Sequence, residues 1–273
     1  MSGDTRIAAT LLPAALLAAA FLIPAVAGVG TPAAAEEVKA AILGIEGKDN
    51  REPVDASAWP WVAIGQVNRE IGGHCTGVLI AANRVLTAAH CLYNFTDGRW
   101  TIPMEVHFVA GYDRGEYREH ARGKHFVIAP NWNAAEATQA GNLGEDWAVI
   151  ELDHNLSIRP IDLSELDFDA IKGAAADGEL TIAAYNGDFG EILTRHKGCD
   201  LAGETGNRRL LLHECDATYG ASGAPLLLVT PASGKVGTAE IVGLQSAVIE
   251  TQNGSTYGAA VPAATIRAEG GAD

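Results

Sequence analysis

Cys215-Asp216-Ala217-Thr218-Tyr219-Gly220-Ala221-Ser222-Gly223-Ala224-Pro225 sets a serine in a turn, with one glycine two residues before it and another directly after it. A serine hydroxyl is unreactive at neutral pH unless a base takes its proton and donors receive the developing oxyanion. Ser222 is therefore read as a candidate nucleophile. Gly220 has no side chain, so it can adopt a backbone conformation closed to other residues and present its N–H beside that of Ser222. Small residues around a serine are also ordinary turn chemistry, so the base must be found elsewhere in the chain.

His90 ends the apolar run Val85-Leu86-Thr87-Ala88-Ala89, and Asp146 precedes the apolar run Trp147-Ala148-Val149-Ile150-Glu151-Leu152. Taken singly, each has a plain structural explanation: a histidine after a strand can simply be packed, and an aspartate before a strand can be a turn residue.

The rest of the composition bounds the fold and the partners. The chain has 273 residues, 48% of them apolar, enough for a packed core. Thirty-one glycines between short runs rich in valine and isoleucine favour strands over long helices. A formal charge of −15 with no basic cluster argues against nucleic acid and against anionic membrane. Residues 7–23 form an Ala/Leu-rich run preceded by Arg6 and followed by Pro24, which reads as a secretory signal. Small-residue cleavage sites follow at Ala25-Val26-Ala27 and Ala33-Ala34-Ala35. An uncleaved membrane anchor is the competing reading of that run. Export to the periplasm or the medium is the expectation, with no stable membrane association once the signal is removed.

Four cysteines in an exported chain should be paired, and four allow three connectivities. The local solution joins Cys75 to Cys91 and Cys199 to Cys215. Each bridge would close a loop of roughly fifteen residues, worth about 3 kcal/mol in the chain-entropy model. The repeated pairs His74-Cys75 and His90-Cys91 also raise a zinc site, but neither has the usual two-to-four-residue ligand spacing, and no metal or other cofactor is expected.

Strands are expected at 59–67, 74–80, 85–91, 106–111, 125–128 and 147–152, with a polar surface loop at 131–145. A second set is expected at 180–185, 190–194, 210–213, 225–229, 240–248 and 256–261. Short strands at this spacing argue for antiparallel barrels or a sandwich. The pattern breaks between Leu156 and Gly178, where Pro160 and a cluster of aspartates intervene.

Thr87-Ala88-Ala89-His90-Cys91, Asp146 to Leu152 and Gly220 to Pro225, in this order, resemble the His, Asp and Ser motifs of chymotrypsin-fold serine peptidases. The likeness covers roughly residues 52–267 and is nearer to the bacterial secreted, glutamyl-endopeptidase-like and trypsin-like branch, whose Cys-Asp-x-x-x-Gly-x-Ser-Gly-x-Pro is similar to the stretch from Cys215 to Pro225. It implies an all-β fold of two packed antiparallel Greek-key β-barrels with the active site in the cleft between them. On that scheme residues 1–35 are the leader and 36–52 a lead-in segment or propeptide. Residues 53–160 form the amino-terminal barrel, 161–178 the linker and 179–273 the carboxy-terminal barrel.

The resemblance also implies roles. His90 would act as the base, Asp146 would orient it, and the N–H groups of Gly220 and Ser222 would bind the oxyanion. Gly243-Leu244-Gln245-Ser246-Ala247 is similar to the strand that lines the primary pocket, with Ser246 backing Asp146 and Gln245, Ser246 and Val248 beside the substrate. Asp216 falls where trypsin-like enzymes meet a lysine or arginine side chain, or else is a turn residue beside the cysteine. Ala221 stands where the digestive enzymes carry the aspartate that receives a freed amino terminus, so activation by that salt bridge is excluded. Gln245 replaces the pocket histidine of glutamate-preferring enzymes. A monomeric secreted serine endopeptidase acting on proteins or peptides is the expected function. A catalytically weak or inactive binding module on the same fold is the alternative.

Overall fold

Six strands make the first half: Ile64–Arg69 (β1), His74–Ala81 (β2), Arg84–Thr87 (β3), Val106–Ala110 (β4), Glu119–Ile128 (β5) and Ala148–Leu152 (β6). The structure, a computed structural model, describes residues 44, 45, 47–177, 179–205, 209–232, 235–251 and 254–272; the apolar run 7–23 and both cleavage sites lie outside them. The six strands close into a barrel in the order β1-β2-β3-β6-β5-β4. Val78, Leu79, Val85, Leu86, Phe108, Val149 and Ile150 are buried on one or other face of its wall, within an apolar cluster shared with the second half. At about 25 cal/mol per Å² of apolar surface removed from water, this packing is what fixes the strand ends that matter. β3 and β6 run antiparallel with Thr87 opposite Ala148. The chain therefore leaves β3 toward His90 and enters β6 from Asp146 at the same end of two neighbouring strands.

The second half contains Glu179–Ala184 (β7), Thr194–Lys197 (β8), Leu201–Thr205 (β9), Leu210–His213 (β10), Pro225–Ala232 (β11), Lys235–Glu250 (β12) and Thr256–Pro262 (β13). Their pairings run β8-β7-β11-β12-β13-β10-β9. β8 and β9 stand near the two ends of this path yet are only three residues apart in the chain, at Gly198, Cys199 and Asp200. Counted as one strand broken at that turn, they give the order of the first barrel again. The hydrogen-bonded path itself is open there, so one closed barrel and one interrupted counterpart stand where two closed barrels are expected from the resemblance.

Several stretches differ from the sequence reading. The segment 59–67 is strand only from Ile64, because Trp61–Ala63 is a 3-10 turn following Pro60, which has no N–H to give a ladder. Residues 85–91 split into β3 and a 3-10 turn at Ala89–Leu92 that carries His90. The strand expected at 190–194 begins only at Thr194. The stretch 161–178 is structured: Asp162–Leu163 pairs in parallel with Glu240 and Ile241 of β12, and Phe168–Asp177 is a helix. Glu52–Pro53 pairs with Arg195 and Thr194 of β8. A further helix spans Ala263–Ala268.

Cys75 is bonded to Cys91 and Cys199 to Cys215. The first bridge staples β2 to the His90 turn, and the second ties the β8–β9 turn to the stretch leading to Ser222. Sulfurs joined in this way offer no thiolate to zinc, although Cys75, His90 and Cys91 lie close together.

Candidate active site

His90 Nδ1 lies 2.6 Å from Asp146 Oδ2, and the His90 backbone N–H donates to Asp146 Oδ1 at 2.9 Å. Ser246 Oγ donates to Asp146 Oδ2 at 2.6 Å. Asp146 is 2% exposed, so each of these donors replaces water that an ionised carboxylate would otherwise lack. Burial pushes its pKa up, but the His90 charge and the hydrogen bonds from His90 and Ser246 outweigh it, and the carboxyl is held below its usual range. Burial likewise works against the His90 cation; attraction to Asp146 prevails, and the imidazole pKa stands above its ordinary 6.5.

Ser222 sits between Ala221 and Gly223 immediately before β11. Its loop is stitched to β12, because Gly223 N–H donates to Gln245 O at 2.7 Å and Gln245 N–H to Ala224 O at 2.9 Å. Ser246 is thus the next residue along from the partner of the serine loop, which explains how one strand can support both Ser222 and Asp146. Glycine is required on either side. A Cβ on Gly220 (φ +91) would lie 2.5 Å from Tyr185 O and 2.8 Å from His74 Nε2, and one on Gly223 (φ +80) 2.3 Å from Thr76 O. The backbone N–H groups of Gly220 and Ser222 carry no hydrogen bond among the described residues, while those of Ala221, Gly223 and Ala224 do. Ser222 Oγ likewise makes no hydrogen bond to His90 here. Such contacts are often long before substrate binds and tighten in the complex.

Thr76 has no motif to announce it, yet it holds the serine loop against the first barrel. Its N–H donates to Ser222 O at 2.9 Å. Its Oγ1 donates to Gly220 O at 2.8 Å and accepts from Tyr185 N–H at 3.0 Å. Replacing Thr76 by valine keeps the shape but strands a buried N–H, a loss of about 1–3 kcal/mol and a fall in Tm of roughly 2–10 °C. The kcat is expected to fall with it, because Gly220 loses the anchor of its carbonyl. Melting curves and steady-state kinetics check both; a Thr76→Val protein with unchanged Tm and kcat removes this role.

The candidate pocket residues are placed unevenly. Asp216 is buried, and its Oδ2 accepts from Asn50 N–H at 2.8 Å and Asn50 Nδ2 at 3.1 Å. Asp216 N–H donates to His196 Nδ1 at 2.8 Å, so the 3.3 Å approach of that nitrogen to the carboxylate is not a donated bond. Asp216 lines a cavity of about 450 Å³ with His196, Asp200, His213, Glu214 and Tyr257. Gln245 faces inward: Cys215 N–H donates to His213 Nδ1, so the ring proton sits on Nε2 and is given to Gln245 Oε1 at 2.6 Å. Burial pushes the His213 pKa down to about 4. Val248, with Ser246, Phe95 and Leu143, lines a second cavity of about 340 Å³ that contains His90 and Asp146.

The segment before the first barrel is part of this region. Gly44 O accepts from Ala217 N–H at 3.0 Å. A Cβ on Gly44 would collide with Ala217 O and lie 3.0 Å from Val248 Cγ2. Arg51 reaches both oxygens of Asp188 at 2.8 and 2.6 Å, and Thr218 Oγ1 donates to the same carboxylate at 2.8 Å. The guanidinium first among its partners holds Asp188 down at about 2. Charge complementarity thus clamps the lead-in segment to the serine loop.

A strand order of this kind, with a histidine and a buried aspartate on one half and a glycine-flanked serine on the other, defines a class of double-barrel folds. Residues 49–189 match the trypsin family, and the chain belongs to it. Serine protease 23 of the mouse is 28% identical over 172 residues, which cover 55% of this chain and 42% of that one. Glutamyl endopeptidase of Bacillus licheniformis is 26% identical over 188 residues, covering 68% of this chain and 55% of that one. This chain's match thus spans about half the length of the curated relatives or less. Among solved structures, a Glu endopeptidase in complex with MPD superposes with a TM-score of 0.61 at 23% identity, covering 83% of this chain and 97% of the other. The Vibrio cholerae VesB protease does so at 0.57 and 20%, covering 80% and 65%. At those identities the likeness is one of fold.

Proposed function

We propose that this protein is a serine endopeptidase that hydrolyses peptide bonds in proteins through Ser222, His90 and Asp146. The observation that carries the proposal is the chain of short hydrogen bonds from Ser246 through buried Asp146 to His90, set beside a serine whose own N–H and that of Gly220 have no partner among the described residues. Neutral His90 takes the Ser222 proton at Nε2 as Oγ attacks the carbonyl carbon. The N–H groups of Gly220 and Ser222 receive the oxyanion, each donor being worth about 3 kcal/mol in such sites. His90 then gives the proton to the leaving amine, and water, activated in the same way, releases the acyl group. A fluorophosphonate probe should label Ser222, as mapped by mass spectrometry, in a preparation that also digests casein. Label elsewhere sinks the mechanism; neither label nor digestion leaves the inactive binding module.

For the residue before the scissile bond we propose a lysine or arginine preference. The cavity that Asp216 lines also carries Asp200 and Glu214, and His213, a further lining residue, is neutral at pH 7. A glutamate side chain would therefore enter an anionic pocket without a fixed cation. Asn50 already donates twice to Asp216, so the carboxylate is partly satisfied and the preference should be modest: kcat/KM about 10-fold higher for Arg than for Ala in otherwise identical peptides, about 1.4 kcal/mol. A panel with Arg, Glu, Leu and Ala decides it, and a Glu peptide matching or exceeding the Arg one overturns the assignment.

Export is proposed on the apolar run at 7–23 together with two disulfides. No helix among the described residues is long and apolar enough to cross a membrane.

A further inference from the structure

Asp146 touches His90 and Ser246, but the residues on either side of it are held by a different set of groups. Glu145 Oε1 is paired with Arg209 Nη2, which also donates to Glu269 Oε1 at 2.7 Å. Trp147, wholly buried, donates its Nε1–H to the other oxygen of Glu269 at 3.0 Å. Arg209 directly precedes β10 of the second sheet, and Glu269 follows the helix Ala263–Ala268. The backbones close on one another as well: a Cβ on Gly144 would lie 2.7 Å from Arg209 Cβ, and one on Gly271 would lie 3.1 Å from the Trp147 ring. Within its own loop Asp146 has one backbone bond, from its N–H to Leu143 O at 3.2 Å.

We propose that Glu269, Arg209 and Glu145 are positioning residues that set the height and orientation of Asp146 against His90 by gripping both of its neighbours in sequence. The inference rests on the serine endopeptidase reading. None of the three contacts His90 or Ser222, so their effect must pass through the backbone of 145–147. The arrangement is a poor bargain for stability alone. One guanidinium faces two carboxylates, Glu145 Oε2 and Arg209 Nε are buried without partners, and burial followed by the Glu269 charge pushes the Glu145 pKa up. Buried ion pairs of this type are often no better than apolar replacements for stability. What an apolar replacement could not do is bond Trp147 Nε1 and Arg209 at once and so hold the residues on both sides of Asp146. Geometry at a general base is demanding, and a displacement near 1 Å costs on the order of 100-fold.

The test uses the full chain carrying Glu269→Ala, Glu269→Gln and Arg209→Lys, each normalised to active protein by fluorophosphonate titration. Glu269→Ala should lower kcat by about 10- to 100-fold with KM within about 2-fold, and should shift the acid limb of the kcat profile, because His90 loses part of the grip of Asp146. Glu269→Gln keeps an acceptor for Trp147 Nε1 and should recover most of that loss. Arg209→Lys retains charge without the fork and should fall between them. If Glu269→Ala does not fold, the comparison of Glu269→Gln with Arg209→Lys carries the test, with the larger loss of kcat expected for the lysine variant. Variants that melt earlier yet keep the parent kcat and acid limb below their Tm overturn the inference, leaving the cluster a fold element. A parent that neither labels at Ser222 nor hydrolyses peptide overturns the peptidase reading instead.

Discussion

Replacing Ser222 by alanine is expected to lower kcat for peptide hydrolysis by about 10⁶-fold while leaving a folded protein. The size follows from the site's construction. Ser222 Oγ makes no hydrogen bond among the described residues, and the loop around it is held by backbone bonds from Thr76, Gly223 and Gln245 that alanine keeps. Stability should therefore change by no more than about 0.5 kcal/mol, so loss of activity cannot be blamed on unfolding. Activity left in the variant would come from the Gly220 and Ser222 N–H groups, which alanine at 222 also preserves. On the proposed mechanism the serine and its base act as one unit, so a Ser222→Ala, His90→Ala double variant should be no slower than either single one. Single-turnover assays with a chromogenic peptide measure all three, and a single variant within 100-fold of the parent would mean that another residue attacks the carbonyl.

The parts of this site that could be read from sequence are those whose chemistry is confined to a few successive residues. Gly220 and Gly223 flank Ser222 because a side chain at either place would run into Tyr185, His74 or Thr76, and that demand leaves a local mark. His90 and Asp146 each adjoin an apolar strand, so their register follows from β3 and β6 pairing end to end. Thr76 left no mark, because its partners Gly220 and Ser222 lie some 144 residues away along the chain, and a threonine after a cysteine is unremarkable. The lead-in segment carries no legible pattern for a related reason. Beyond their local bonds, Asn50 and Arg51 reach Asp216, Asp188 and Thr218 on the other half, and charged residues with long-range partners show no period. A chain that starts after Asn50 would lack the two donors to Asp216.

Asp146→Asn is expected to reduce kcat by roughly 10⁴-fold and to move the acid limb of the pH profile downward. In the parent the limb should lie above pH 6.5, because Asp146 raises the His90 pKa and the neutral imidazole is the working form in the proposed mechanism. With asparagine the charge is gone but the burial remains, and burial favours the uncharged ring. The amide can also donate to Nδ1, which selects the tautomer with its proton on the side facing Ser222 and leaves no base there. Stability should follow the same two pKa shifts with their own signs. The raised His90 pKa stabilises the fold fully below its unfolded value near 6.5, and that contribution is lost as pH rises through the folded pKa. The lowered Asp146 pKa stabilises it above about 3.8, a contribution lost as pH falls through the folded value. The parent's advantage in Tm over Asp146→Asn should accordingly be largest between about pH 4 and 6.5 and shrink on the alkaline side. Melting both proteins across pH 3 to 10 tests this directly: a constant difference throughout would show that the Asp146 to His90 contact does not couple to folding in the way its geometry requires.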